Sequence, residues 1–199
     1  ETGLKYSKRL KNYRDPTEVM DTYGADALRW LMLSSPVMRG LDLAVDPEGK
    51  FIRDVVRLAI KPIWNAYHFF CLYANADGIK SCDSPPYVPP AGGGDRGEEG
   101  TGSQEYAETD PVQSLRDSRD CTHIMDRYIL AKCEQAVAEI KQSLDSYDTP
   151  GACDAVMAFF EVLNNWYIRR SKERFWKAEH DSDKQAAYDT LYTVMTTMC

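Results

Sequence analysis

The amino-acid sequence predicts a mainly α protein: an antiparallel helical bundle preceded by a small segment with at most one short strand. Three observations carry that expectation. Apolar residues recur at three- and four-residue steps through residues 51–76 and 124–198, the period of helices with one buried face. Helix-start signals stand ahead of helical runs, at Asp15-Pro16-Thr17-Glu18 and Thr149-Pro150, where a capping side chain precedes a proline suited to the first turn. Short loops join the long amphipathic stretches, which favours antiparallel neighbours and a four-helix bundle.

The elements follow in order. Residues 1–14 are polar and basic, with Lys5, Lys8, Arg9, Lys11 and Arg14, and read as an exposed loop. Asp15 caps a short helix that stops by Gly24, a C′-type residue. A second helix runs from Ala25 to about Ser34, with Ala27, Leu28, Trp30 and Leu31 on its buried side, and Pro36 ends it. Leu41 to Val45 alternates apolar and polar, which predicts a short strand or extended segment before the turn Asp46-Pro47-Glu48-Gly49. From Phe51 to Ala76, a helical stripe of Ile52, Val55, Val56, Ala59, Ile63, Tyr67, Phe70 and Leu72 is interrupted by Pro62. That proline should kink the helix or split it near Ile60.

Residues 84–119 differ in kind. Pro85, Pro86, Pro89 and Pro90 precede Gly92, Gly93, Gly94, Gly97, Gly100 and Gly102, and apolar residues are sparse. No core can offset the entropy of ordering such a stretch, so it reads as a flexible insertion. Helical pattern resumes from about Ile124 to Tyr147, with Tyr128, Leu130, Ala131, Val137, Ile140 and Leu144 on a stripe. The next helix is expected to begin with Thr149 as cap and Pro150 at the first position. It should continue to about Glu179 through Val156, Phe159, Phe160, Leu163, Trp166 and Tyr167. A last helix from about Ser182 to Met198 buries Ala187, Leu191, Val194 and Met195. There are no internal repeats.

Bulk properties narrow the function classes. A net charge of −7 argues against a uniformly basic nucleic-acid binder and gives no reason to expect DNA as a partner. Seven acids against three arginines in residues 84–119 place −4 of that charge in the insertion, so a basic face elsewhere is not excluded. None of the six cysteines forms a C-x-x-C pair, and no histidine lies at metal spacing. The expectation is reduced thiols, no metal site and a cytoplasmic protein. No apolar run approaches the roughly 18 residues of a membrane span. The chain begins on Glu1-Thr2-Gly3, inside what reads as a loop, which suggests a piece of a longer protein.

Two features can carry chemistry. Lys5-Tyr6-Ser7-Lys8-Arg9 sets two lysines three apart around a hydroxyl, a compact cationic loop able to stabilise charge developing on a polyphosphate. A solvated basic loop is the alternative. The stretch Trp166 to Lys177 holds five cations, Arg169, Arg170, Lys172, Arg174 and Lys177, against the single anion Glu173. Arg170, Arg174 and Lys177 fall on one side by i, i+4, i+7 spacing, flanked by Arg169 and Lys172. Trp166, Tyr167, Phe175 and Trp176 interleave with them. Cations bind phosphate and flat rings stack on unpaired bases, so this pattern fits an RNA-binding face. A bundle helix with core aromatics and internally paired cations is the alternative.

These residues resemble a known family. Lys5-Tyr6-Ser7-Lys8-Arg9 is similar to the K-M-S-K-S signature of class I aminoacyl-tRNA synthetases. Leu10-Lys11-Asn12-Tyr13-Arg14-Asp15-Pro16 resembles the L-K-N-Y-P-D-P continuation of the isoleucyl type. Tyr23-Gly24-Ala25-Asp26-Ala27-Leu28-Arg29, Ser34 to Leu43, Trp64-Asn65-Ala66-Tyr67 and Asn165 to Ser171 match in order. The resemblance implies an end of the catalytic domain at residues 1–15 and a stem-contact junction at 16–50. A helical anticodon-binding domain at 51–199 follows, interrupted by the insertion 84–119. It implies that Lys5, Ser7 and Lys8 belong to the loop that closes on ATP, with Mg2+, in the full-length enzyme. It implies that Trp166, Arg169, Arg170, Lys172, Arg174, Trp176 and Lys177 contact an isoleucine-acceptor tRNA. The remainder of the synthetase chain is the other expected partner. Tyr6 stands where Met is usual, Arg9 where Ser is usual and Arg14 where Pro is usual. No H-I-G-H motif or nucleotide-binding fold is present, so this chain alone is expected to be inactive. A valyl-type relative and a free-standing helical RNA-binding module are the alternatives.

Overall fold

The structure, a computed structural model, describes residues 15–43, 49–79, 123–179 and 181–198. Among the described residues all regular structure is helical, with no strand. Leu41, Asp42 and Leu43 have no regular structure, and the remainder of the expected strand lies outside the described residues, as do Lys5, Ser7, Lys8 and the insertion 84–119.

The first helix, α1 (Pro16–Tyr23), starts as its sequence predicts: the Asp15 carboxylate accepts from the Thr17 N–H at 2.8 Å, with proline in the first turn. Gly24, at φ 89°, turns the chain directly into α2 (Ala25–Leu33), a conformation that glycine adopts at little cost. A 3-10 turn, Pro36–Arg39, follows.

Helices α3 (Lys50–Val55) and α4 (Lys61–Ala76) are one continuous rod joined by a π turn, Val56–Ile60. Pro62 has no N–H and its ring would crowd the carbonyl four residues back. The wider turn, with the Lys61 N–H bonded to the Val56 carbonyl, relieves that conflict without splitting the helix. The stripe assigned to this rod holds at Ile52 and Ala59 but fails at Tyr67 and Leu72, which are exposed. Ala66 and Ala74 are buried in their place, on the stripe that continues from Ile52 and Ala59 at steps of seven or eight residues.

Three helices complete the bundle: α5 (Ile124–Asp145), a rod formed by α6 (Thr149–Val162) running through a π turn (Leu163–Ile168) into α7 (Arg169–Trp176), and α8 (Ser182–Met198). The α6–α7 rod ends at Trp176, three residues short of the expected end. Its cap is Asp148, which accepts from the Gly151 N–H at 3.3 Å, and not Thr149. The buried stripe of α5 is Asp126, Ile129, Leu130, Cys133 and Ala136, whereas Tyr128, Ala131 and Leu144, expected inside, are exposed. Asp126 takes the first inward position of that stripe, paired with Arg174.

The core combines aromatic and aliphatic side chains from α4 to α8, with Ile129, Phe160, Leu163, Tyr167, Phe175, Tyr188, Leu191 and Val194 nearly inaccessible. Phe175 meets Phe69 and Tyr188 edge-on at centroid distances of 5.2 and 5.0 Å, a favoured geometry for ring pairs. Helices α5 and α6 are antiparallel, as are α7 and α8. By contrast α4 and the α6–α7 rod ascend together: Pro62 meets Asn164, Phe69 meets Phe175 and Tyr73 meets Trp176.

A candidate RNA-binding face built on a buried ion pair

Arg174, one of the residues expected to face RNA, points into the bundle. It is 6% exposed. Its Nη1 and Nη2 donate to Asp126 Oδ1 and Oδ2 at 2.6 and 2.8 Å, and Nη2 also reaches the Asp183 carbonyl at 3.0 Å and Asp183 Oδ1 at 2.9 Å. The Tyr167 hydroxyl donates to Asp126 Oδ1 at 2.8 Å. This forked geometry on a carboxylate is what a buried charge pair requires. Burial alone pulls the guanidinium pKa down, but the Asp126 and Asp183 carboxylates more than offset it and the pKa rises. Arg174 is therefore a structural cation and, contrary to what the sequence pattern leads one to expect, does not lie open to a polyanion. Asp126, 48 residues upstream, has no signal in the sequence beyond its place ahead of an apolar stripe.

Lys177 lies on the same side and is also engaged. Its ammonium meets Asp181 at 3.4 Å and Asp183 at 3.3 Å, and the Asp183 and Asp181 bonds hold its pKa above the ordinary lysine value. It remains partly open to solvent. A second buried polar cluster lies beneath it. Lys184, 1% exposed, donates to the Lys177 carbonyl at 2.7 Å and pairs with Asp77 at 2.7 Å, and the Tyr188 hydroxyl donates to Asp77. The sequence pattern gives no hint of Lys184, which sits on the inner face of α8.

Arg169, Arg170, Lys172 and Trp176 do open outward. The Arg170 guanidinium lies 5.4 Å from the Trp166 ring centre, and Trp166 packs on Tyr128 at 4.2 Å. The Lys172 ammonium lies 5.7 Å from the Trp176 ring, and the Trp176 indole N–H donates to the Tyr73 hydroxyl at 2.6 Å. Arg169 lies between these two pairs, exposed, with no ion pair among the described residues. Trp176 is 57% exposed, while Trp166 is half-buried and buttresses Arg170. The π turn is what brings Arg170 out. In an unbroken α-helix, Leu163, Tyr167, Arg170 and Arg174 would share one stripe, and the first two are wholly buried. The turn advances the inward stripe to Ile168, Ser171 and Phe175, leaving Arg170 above the Trp166 ring. Asn164 pins the turn by donating to the Pro62 and Phe160 carbonyls at 2.9 and 2.8 Å.

Elsewhere the surface offers little chemistry. An open hollow of about 450 Å³ between α2, α3 and α6 is lined mainly by Trp30, Leu31, Leu43, Phe51, Leu58 and Met157. Among the described residues no group of three His, Cys, Asp or Glu side chains could hold a metal ion. No described helix is long and apolar enough to cross a membrane. Cys71, Cys133 and Cys153 are free thiols.

Comparison with known proteins defines the class first. Residues 126–199 match the anticodon-binding domain of tRNA ligase, and residues 1–44 match the class I tRNA synthetases for I, L, M and V. The chain belongs to the class I tRNA ligases, and its helical bundle is an anticodon-binding domain of that family. The particular relatives are isoleucine–tRNA ligases: those of Rickettsia bellii, Rickettsia felis and Rickettsia typhi are 51%, 50% and 49% identical to it over 99% of its length. The chain spans 15% of the length of each of these relatives.

Proposed function

We propose that the outward face of α7 holds the tRNA of an isoleucine–tRNA ligase, and that the whole protein joins isoleucine to that tRNA through an ATP-dependent adenylate. The observation that carries the reading is the order Trp166/Arg170, Arg169, Lys172/Trp176 on a solvent-facing ribbon, within the segment that matches an anticodon-binding domain. Two of the three cations rest on rings that limit their freedom, so a phosphate meets an ordered charge. Trp176 can add stacking on an unpaired base. Arg169, Arg170 and Lys172 would neutralise phosphates, Trp166 would support Arg170 from beneath, and Lys177 would add charge at the rim. Arg174 has no direct part.

Lys5, Ser7 and Lys8 would belong to the ATP loop of the complete enzyme. Two ammonium groups there would hold the pyrophosphate as it leaves with its magnesium. The division into a loop at 1–15, a junction at 16–50 and a bundle at 51–199 belongs to the same reading. So do a cytoplasmic location and the inactivity of this chain without the remainder of the synthetase.

Filter binding of isoleucine tRNA and valine tRNA to the full-length protein at two salt concentrations tests it. Changing Arg169, Arg170 and Lys172 to Ala should weaken binding and flatten the salt slope by about one for each phosphate no longer neutralised. An unchanged slope would remove the reading, and a preference for valine tRNA would favour the valyl alternative.

A further inference from the structure

The segment containing α1 and α2 is fastened to the bundle through a small set of side chains at one end of the α6–α7 rod. Arg39, the last residue of the 3-10 turn, grips Asp148: Nε and Nη2 donate to Oδ1 at 3.1 and 2.8 Å, and Nη2 reaches Oδ2 at 3.1 Å. The same carboxylate caps α6 through the Gly151 N–H. Thr149, released from capping, donates its hydroxyl to the Leu33 carbonyl at 3.1 Å, one of the terminal carbonyls that a helix cannot satisfy itself.

The local backbone is shaped around this contact. Tyr147, at φ 60°, is a left-handed C′ residue where glycine is usual, and it is 88% exposed. A Cβ at Gly151 would overlap the Asp148 carboxylate. The Arg39 guanidinium also holds the Asp148 carboxyl below the usual carboxylate range.

The pair is half open to water, at 54% and 38% side-chain exposure, so its contribution to global stability is small. What a planar fork on a carboxylate supplies is an angle, which a lysine's single ammonium does not fix. That angle matters because Asp148 sits at one end of a continuous rod, Thr149–Trp176, roughly 40 Å long at 1.5 Å per residue. The far end of the rod carries Arg169, Lys172 and Trp176. Arg39 itself lies in the segment matching the class I synthetases.

We propose that Arg39 is a positioning residue for tRNA charging: its fork on Asp148 fixes the direction of the α6–α7 rod relative to the segment that continues from the lysine loop. A tRNA held along the rod is thereby aimed toward the catalytic end. The inference rests on the proposed function above.

The test uses the full-length enzyme with Arg39→Ala and Arg39→Lys, and with Arg169→Ala/Arg170→Ala as a separate control. Isoleucine-dependent ATP–pyrophosphate exchange, tRNA affinity and steady-state charging are measured on each. For Arg39→Ala, exchange and tRNA affinity should stay within about twofold while the kcat of charging falls by about tenfold, the size expected when a bound reactant is misaligned. Arg39→Lys should recover only part of that loss. Charging at the native rate by Arg39→Ala overturns the proposal, and so does an equal loss of exchange and charging, which is the mark of general destabilisation. Unchanged tRNA affinity in the Arg169/Arg170 control would sink the RNA-face reading instead, whatever Arg39 does.

Discussion

The two sides of α7 hold the same kinds of residue and do opposite work. On the inner side Arg174 is locked to Asp126 and Asp183, and every strong donor it aims at the bundle meets a carboxylate or carbonyl except Nε. On the outer side Arg169, Arg170 and Lys172 stand in water, two of them against rings. A cluster of cations in a sequence is therefore not one feature. Burial divides it into a part that holds the bundle together and a part available to a polyanion, and only the second can contribute counterion release on RNA binding.

The largest test of this division is stability. Arg174→Ala leaves Asp126, at 0% exposure, as an unpaired buried charge, and should cost about 3–5 kcal/mol. Arg169→Ala should stay within about 0.5 kcal/mol. Urea denaturation of the two variants checks both, and equal costs would erase the distinction between the two sides.

Next in size is the acid response. Burial raises the Asp183 pKa, but its bonds to Arg174 and Lys177 outweigh that and hold it below the ordinary carboxylate value. Asp181 is lowered too, first by the Lys184 N–H. Because the folded pKa values are depressed, the stability they bring is present above the unfolded carboxylate value and lost as pH falls through the folded ones. Melting temperature should drop in that acid window, and Asp183→Asn should flatten the drop. A variant that melts with an unaltered pH profile would show that the α7–α8 clamp is not electrostatic.

The smallest expected effect is at Trp176. Replacement by Phe removes the indole bond to Tyr73 on an exposed edge, at a cost of about 0.5 kcal/mol. Its effect on tRNA affinity should exceed its effect on stability. The reverse order would place Trp176 with Arg174 on the structural side.

Local signals in the sequence are enough for α1, with its Asp15 cap and proline, and for α8, whose limits Ser182 and Met198 match the expectation. The bundle class is legible for the same reason: helical periodicity and helix-start signals are local. What is not legible depends on long-range partners or helix phase. Arg174 cannot be recognised as internal without Asp126, and Lys184 cannot be without Asp77. The sequence places the cap of α6 one residue late because Asp148 and Thr149 can both serve, and only the Leu33 carbonyl decides which of them does. The π turns are invisible because their residues favour an α-helix equally well, so the change of inward stripe at α7 has no sign in the sequence. Arg169, Arg170 and Lys172 are exposed, but the side that the pattern shares between Arg170 and Arg174 is divided, because Arg174 turns inward.

The turn at Leu163–Ile168 makes the helix after it behave like a reading frame. Substitutions within the turn leave the count of residues intact and should be absorbed one side chain at a time. A switch of the turn to ordinary α geometry with every residue kept would swing all of α7 by about 100°. Arg170 would then be driven toward the hydrophobic interior while Phe175 and the guanidinium of Arg174 left their partners together. Removing one residue of the turn at the same time would cancel that swing and leave the faces of α7 where they are.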